Sequence, residues 1–172
     1  MRYPTALLDG LYRLCGWIAA GALVTIGILI LISIVSRPLG IYVPGLNAYA
    51  GYAMAASTFF GLSYAFRRGS HIRVNLMLSR LKGGRRKQGE IWCLAIAGGL
   101  GIFLAYYLIK LMVVTIDFGD VSEAADATPL WIPQLSLAIG GTVFAIALID
   151  RLLRVLLGIE PADLGGGEVQ AE

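Results

Sequence analysis

The stretch "CGWIAAGALVTIGILILISIV", residues 15–35, contains 21 consecutive residues without a charged side chain. A helix of this length rises about 30 Å, which matches the hydrocarbon layer of a bilayer. Three further uncharged windows of similar length occupy residues 48–66, 91–109 and 129–149. Together with a hydrophobic content of 58% and a mean hydropathy of +0.76, they predict an all-α integral membrane protein with four transmembrane helices.

The basic residues are distributed unevenly between the two sides of these windows. If the N-terminus lies in the cytoplasm, twelve of the 14 Lys and Arg residues fall on the inner side, and Arg37 and Lys110 fall on the outer side. Because cytoplasmic loops carry such an excess, we expect both termini in the cytoplasm. Lys110 is expected at the outer end of the third span, where its side chain can reach water. The net charge of +3 reflects this topology and does not indicate a nucleic-acid partner.

Residues 1–158 are expected to form the transmembrane domain. Residues 159–172 are acidic and rich in glycine, which predicts a disordered cytoplasmic tail. In the loop between the second and third windows, residues 71–82 predict a short amphipathic cytoplasmic helix. Its apolar side consists of Val74, Met77, Leu78 and Leu81. Three tryptophans near span ends are expected to anchor the helices at the membrane interface: Trp17, Trp92 and Trp131.

The four windows contain no Asp, Glu, Lys, Arg or His. Ion-coupled carriers usually keep such a group inside the membrane, so a self-contained carrier is disfavoured. The glycines of the third and fourth windows are interpreted as contact points between helices rather than as an ion site. They are Gly98, Gly99, Gly101, Gly140 and Gly141.

His71 is the only histidine of the chain. A haem with two histidine ligands from this chain is therefore excluded, and zinc would find no second Cys or His near His71. We interpret His71 as a structural hydrogen-bonding group. The sequence contains no nucleophile–base pair and no set of metal ligands, so an enzyme is not expected, nor is a metal or cofactor.

The segment "FGLSYAFRRGSHIRVNLMLSRL", residues 60–81, resembles the signature of the DctQ-type small membrane subunit of tripartite ATP-independent periplasmic (TRAP) transporters. In that family a span ends in an Arg-Arg-Gly-x-His-Ile-x-Val pattern. The likeness extends to "VSRPLG" at residues 35–40 and "ATPLWIPQLSLAIGG" at residues 127–141. Two features depart from it: Asn75 replaces an aspartate common in relatives, and the start of the second span lacks a glutamate often found there.

This resemblance implies a scaffold subunit of a sodium-driven secondary transporter in the bacterial inner membrane. Its partners would be a large membrane subunit, a periplasmic binding protein that delivers an organic anion such as a carboxylate, and membrane lipids. The small subunit would brace the large one and carry no substrate pathway itself.

On the same resemblance, Arg67 and Arg68 would fix the inner end of the second span, and Gly69 would turn the chain. His71 and Arg73 would then contact neighbouring loops or the large subunit. Two alternatives remain open at this point. One is a membrane anchor subunit of an oxidoreductase complex, and the other is a small exporter that works as an oligomer.

Overall fold

The computed structural model describes residues 5–41, 43–67, 84–123 and 127–158. Within these residues the chain forms four α-helices: α1 (Thr5–Ser36), α2 (Leu46–Arg67), α3 (Gly84–Phe118) and α4 (Trp131–Leu156). Each of the four predicted windows coincides with one helix, although the fourth begins two residues before α4. The predicted amphipathic helix at residues 71–82 and the predicted tail at residues 159–172 lie outside the described residues.

Three of these helices are long and apolar enough to cross a membrane, over Leu8–Ser36, Gln88–Phe118 and Trp131–Leu156. The remaining helix, α2, has 22 residues, which corresponds to about 33 Å. Its alanines, glycines, serines and tyrosines leave it without a continuous stretch as apolar as those of the other three helices. The prediction that α2 is also a span therefore rests on its length and on the absence of charge before Arg67.

Helix α3 continues well beyond its predicted window. It ends at Phe118, so Lys110 lies eight residues, or about 12 Å, before the end of the helix. Lysine is a good helix former and does not interrupt the backbone, although its charge ended the uncharged window. The helix stops at Gly119, whose φ of 66° suits glycine. The amides of Gly119 and Asp120 cap the helix by donating to the carbonyls of Ile116 and Thr115, at 3.2 and 3.1 Å.

The helices are arranged in a row in the order α1, α2, α4, α3. The main contacts join α1 to α2, α2 to α4, and α4 to α3. Hence the structure consists of two helix hairpins, α1–α2 and α3–α4, that meet where α2 packs on α4. The helices at the two ends of the row are the most exposed: 6% of the apolar window of α1 and 17% of that of α3 are buried, against 39% for α4.

The contact between α2 and α4 is closest at Gly140. A Cβ atom added to Gly140 would lie 2.8 Å from the Cβ atom of Phe59 and 3.2 Å from the backbone nitrogen of Phe60. The Ser63 hydroxyl donates a hydrogen bond to the Gly140 carbonyl across this contact, at 3.4 Å. Only glycine allows the two backbones to approach so closely.

Two other glycines of the predicted set lie at the contact between α3 and α4. Added Cβ atoms would come within 2.9 Å of Leu148 at Gly101 and within 2.7 Å of Leu108 at Gly141. At Gly98 and Gly99 an added Cβ atom would meet nothing within 4 Å. The interpretation of these glycines as contact points therefore agrees with the structure at three of the five positions.

We expect Gly140→Ala to destabilise the protein by about 1 to 3 kcal/mol, because the α2 backbone cannot move aside as a flexible side chain could. Thermal unfolding of the purified protein in detergent measures this loss. Gly99→Ala is the matched control, since it makes the same chemical change in open space on a neighbouring helix. Equal unfolding temperatures for the two variants would contradict the assignment of Gly140 as the point of closest approach.

Candidate functional site at the inner end

Charged side chains from three helices meet at the end of the row where α1 begins and where α2 and α4 end. We call this the inner end, because the distribution of basic residues predicts that it faces the cytoplasm. The inner ion cluster consists of Asp9 on α1, Arg67 on α2, and Asp150 and Arg154 on α4.

Arg67 is the central residue of the inner ion cluster. Its Nε and Nη2 atoms donate to Oδ1 of Asp9 at 3.1 and 2.7 Å, and its Nη1 atom donates to Oδ2 of Asp150 at 3.5 Å. The guanidinium carbon lies 5.7 Å from the centre of the Tyr12 ring, within the range of a cation–π contact. Arg67 is the last residue of α2, where a positive charge also interacts favourably with the helix dipole. One side chain therefore connects α2 to both of its neighbours.

Asp150 connects the two arginines of the cluster. Its Oδ2 atom accepts a hydrogen bond from Nε of Arg154 at 2.9 Å, one turn further along α4. The side chains of Asp150 and Arg154 are 19% and 13% exposed, whereas Asp9 is half exposed. The cluster contains two acidic and two basic groups, so its charges compensate one another. Removing one partner would leave a partly buried charge uncompensated, which costs more than the loss of a surface ion pair.

A second ion pair links α4 to α3. Nη2 of Arg151 lies 3.4 Å from Oε1 of Glu90, and the two side chains are 21% and 12% exposed. Successive residues of a helix point about 100° apart. Asp150 can therefore reach α2 while Arg151 reaches α3, and α4 is tied by ion pairs to both of its neighbours.

At the opposite, outer end, hydroxyl groups fasten the loop between α3 and α4 to α2. The Tyr49 hydroxyl and Oγ1 of Thr128 share a hydrogen bond of 3.1 Å, and the Tyr52 hydroxyl donates to Oγ of Ser122 at 2.9 Å. The loop is closed on itself by a hydrogen bond of 2.8 Å from the Ser122 amide to the Thr128 carbonyl. Among the described residues no three His, Cys, Asp or Glu side chains form a group that could hold a metal ion.

The structure describes one of the five residues predicted to contact a partner or fix the inner end. Arg67 lies at the predicted end of the second span, although its ion pairs were not foreseen. Arg68, Gly69, His71 and Arg73 lie outside the described residues, so their roles remain predictions.

The three predicted anchor residues lie on the surface of the row. Trp17 and Trp92 are about 70% exposed on α1 and α3, and Trp131 is the first residue of α4. Their role at the membrane interface also remains a prediction.

The ion pairs of the acidic residues at the inner end were not predicted from the sequence, because only Lys and Arg were used to assign the orientation. Glu90 directly precedes the third predicted window, and Asp150 directly follows the fourth. The spacing of Asp150 and Arg154, four residues apart on a helix, is a signal for an ion pair that the sequence did contain. The pairing of Asp9 with Arg67 joins different helices and has no comparable signal.

We expect Arg67→Lys to lower stability by about 1 to 2 kcal/mol, because the three N–H donors of an ammonium share one nitrogen and cannot span two carboxylates as the three guanidinium nitrogens do. Thermal unfolding in detergent measures this loss. Arg13→Lys is the matched control, since Arg13 is exposed on α1 and makes no ion pair within the described residues. If both variants unfolded at the same temperature, the inner ion cluster would not contribute to stability through its geometry.

A comparison with models of protein families matches residues 26–158 to the family described as tripartite ATP-independent periplasmic transporters, DctQ component. The match includes the last third of α1, from residue 26, and the whole of α2, α3 and α4. Among curated proteins no sequence matches the chain significantly. The resemblance seen in residues 60–81 is thereby confirmed. The chain belongs to the DctQ family of small membrane subunits of TRAP transporters.

Proposed function

We propose that this chain is the scaffold subunit of a sodium-driven TRAP transporter that imports an organic anion, such as a carboxylate, delivered by a periplasmic binding protein. Membership of the DctQ family supports a role as a transporter component and not as an enzyme. Sodium coupling and the class of substrate follow from the family resemblance. The construction of the helix row supports the bracing role.

One observation carries the bracing role: the two hairpins are joined at three levels along the contact between α2 and α4. Arg67 and Asp150 pair at the inner end, and Gly140 contacts the α2 backbone in the middle. At the outer end, Tyr52 is hydrogen-bonded to Ser122, near the start of the loop that leads to α4. Contacts at three levels oppose sliding and hinge motion of one hairpin against the other. A stiff subunit of this kind suits a static support for a moving partner.

The described charges give little support to a substrate pathway inside this subunit. In the inner ion cluster each arginine is paired with a carboxylate, so an organic anion would have to displace Asp9 or Asp150. Lys110 lies on the exposed surface of α3 rather than between helices. Both features agree with a pathway on the large membrane subunit.

We further propose that the chain lies in the bacterial inner membrane, with residues 1–158 as its transmembrane domain and residues 159–172 as a disordered cytoplasmic tail. Arg68, Gly69, His71 and Arg73 would extend the inner end toward the large subunit. The alternative function, an anchor subunit of an oxidoreductase complex, receives no support from the family match.

We expect the small subunit, the large subunit and the binding protein to be required together for uptake. In proteoliposomes, accumulation of a radiolabelled carboxylate substrate of the binding protein should occur only with all three proteins and a sodium gradient. Uptake by the small subunit alone would contradict the scaffold role. Sodium-independent uptake by the full set would contradict the coupling but not the scaffold role.

We expect His71→Ala combined with Arg73→Ala to reduce recovery of the large subunit in co-purification, because the double variant removes the side-chain hydrogen-bond donors of the two residues proposed to contact it. Arg85→Ala combined with Lys87→Ala is the control, since those residues are interpreted as topological charges only. Equal recovery and equal uptake for both double variants would refute the role given to His71 and Arg73.

We expect alkaline phosphatase, which becomes active only outside the cytoplasm because it needs disulfide bonds, to be active when fused after Ser122 and inactive when fused after Glu172. The reverse pattern would contradict the orientation. Activity at both sites would contradict the prediction that the chain crosses the membrane once between Ser122 and Glu172.

A further inference from the structure

The exposed face of α3 carries an unusual set of side chains for a surface between membrane helices and lipid. Phe103, Tyr106 and Tyr107 are 60%, 60% and 50% exposed, and Lys110 is exposed beside them. At 100° per residue these four positions lie within about 100° of one another. They are called the α3 stripe here. The opposite side of α3 is buried against α4 at Gly101.

The aromatic rings of the α3 stripe contact one another. The ring centres of Phe103 and Tyr107 are 4.5 Å apart, and those of Tyr106 and Tyr107 are 5.4 Å apart at an angle of 89°. Such contacts hold the rings in fixed orientations and create a broad, rigid surface. Rigid aromatic surfaces lose little conformational entropy on binding, which favours them at protein interfaces.

The polar atoms of the α3 stripe have no partners in the part of the chain that the structure describes. Among the described residues, Lys110 forms no ion pair, and the hydroxyls of Tyr106 and Tyr107 form no hydrogen bond. Lys110 is followed by a mostly apolar segment, residues 111–116, and then by Asp117 and Phe118 at the end of the helix. Lipid tails cannot satisfy the donors of this ammonium and of the two phenols on the same face, so either water at the membrane surface or a partner protein must do so.

The other end of the row provides a contrast. The exposed face of α1 is largely aliphatic in its middle and outer parts, with Leu23, Ile28 and Leu31 all more than half exposed. Lipid tails solvate such a surface well. The middle and outer parts of the two end helices therefore differ in chemistry, because residues 18–36 of α1 include no aromatic or charged side chain.

We propose that the α3 stripe is the docking surface for a membrane helix of the large transport subunit, and that this helix presents a carboxylate to Lys110 and hydrogen-bond acceptors to Tyr106 and Tyr107. The inference rests on the proposed scaffold function and specifies which face performs it. Charge complementarity selects an acidic partner helix, and the ring cluster supplies the apolar contact around the ion pair.

Photo-crosslinking in the assembled complex tests this surface. A benzophenone amino acid at Phe103 should capture the large subunit on illumination, whereas the same amino acid at Leu23 on α1 should not. Capture from Leu23 but not from Phe103 would overturn the choice of face and leave the scaffold function standing. Capture of lipid alone, or of a second copy of this chain, from Phe103 would also overturn the proposal.

Substitutions of Lys110 test the ion pair. Lys110→Ala should reduce recovery of the large subunit by roughly 3- to 20-fold, the range expected for polar contacts between membrane helices. Lys110→Arg should retain recovery, and Tyr106→Phe combined with Tyr107→Phe should give a smaller loss. Unchanged recovery with Lys110→Ala would overturn the role of the lysine.

The thermal unfolding of the isolated subunit separates docking from folding. Because the α3 stripe makes no contact within the row that depends on Lys110, Lys110→Ala should unfold at the wild-type temperature. A matching fall in stability and recovery would identify a structural defect and overturn the docking role of Lys110. Loss of the large subunit from the wild-type preparation itself would instead refute the scaffold function.

Discussion

The contact between α2 and α4 is the constraint on which the rest of this structure depends, because it joins two helix hairpins that otherwise have little in common. Its centre is Gly140, where the absence of a side chain lets the backbones of α2 and α4 approach each other closely. Membrane helices gain nothing from moving apolar groups out of lipid, so close packing and polar contacts must hold them together. A glycine at the middle and an ion pair at the end satisfy both requirements.

The ion pairs lie at the inner end, where the cost of placing charge is lowest. Arg67, Asp150 and Arg151 are close to the predicted headgroup region, and their partners on neighbouring helices compensate most of their charge. This arrangement gives orientation as well as cohesion, since arginines near the cytoplasmic ends of spans also define the topology. On the predicted orientation, the inner end combines the basic residues that set the topology with the contacts that order the helices.

The open row agrees with the proposed role as a support. A closed bundle would bury the apolar faces of all four helices, whereas the row leaves α1 and α3 each with a single close neighbour. Their exposed faces provide surface for lipid and for a partner, while the contacts between α2 and α4 resist deformation. In the proposed function, a subunit built in this way would add stiffness and area to the transporter.

The sequence by itself determined the four helices, their approximate limits and the family, because uncharged windows and the motif at residues 60–81 are local features. It also indicated that glycines of the third and fourth windows lie at helix contacts, but not which of the five do so. The order of the row, the pairing of Arg67 with Asp9 and Asp150, and the division of α3 into a buried and an exposed face were decided by tertiary structure. In a soluble helix, alternation of polar and apolar residues would have marked the buried face. In a membrane, lipid and protein are both apolar, so the sequence carries little record of which face meets which neighbour.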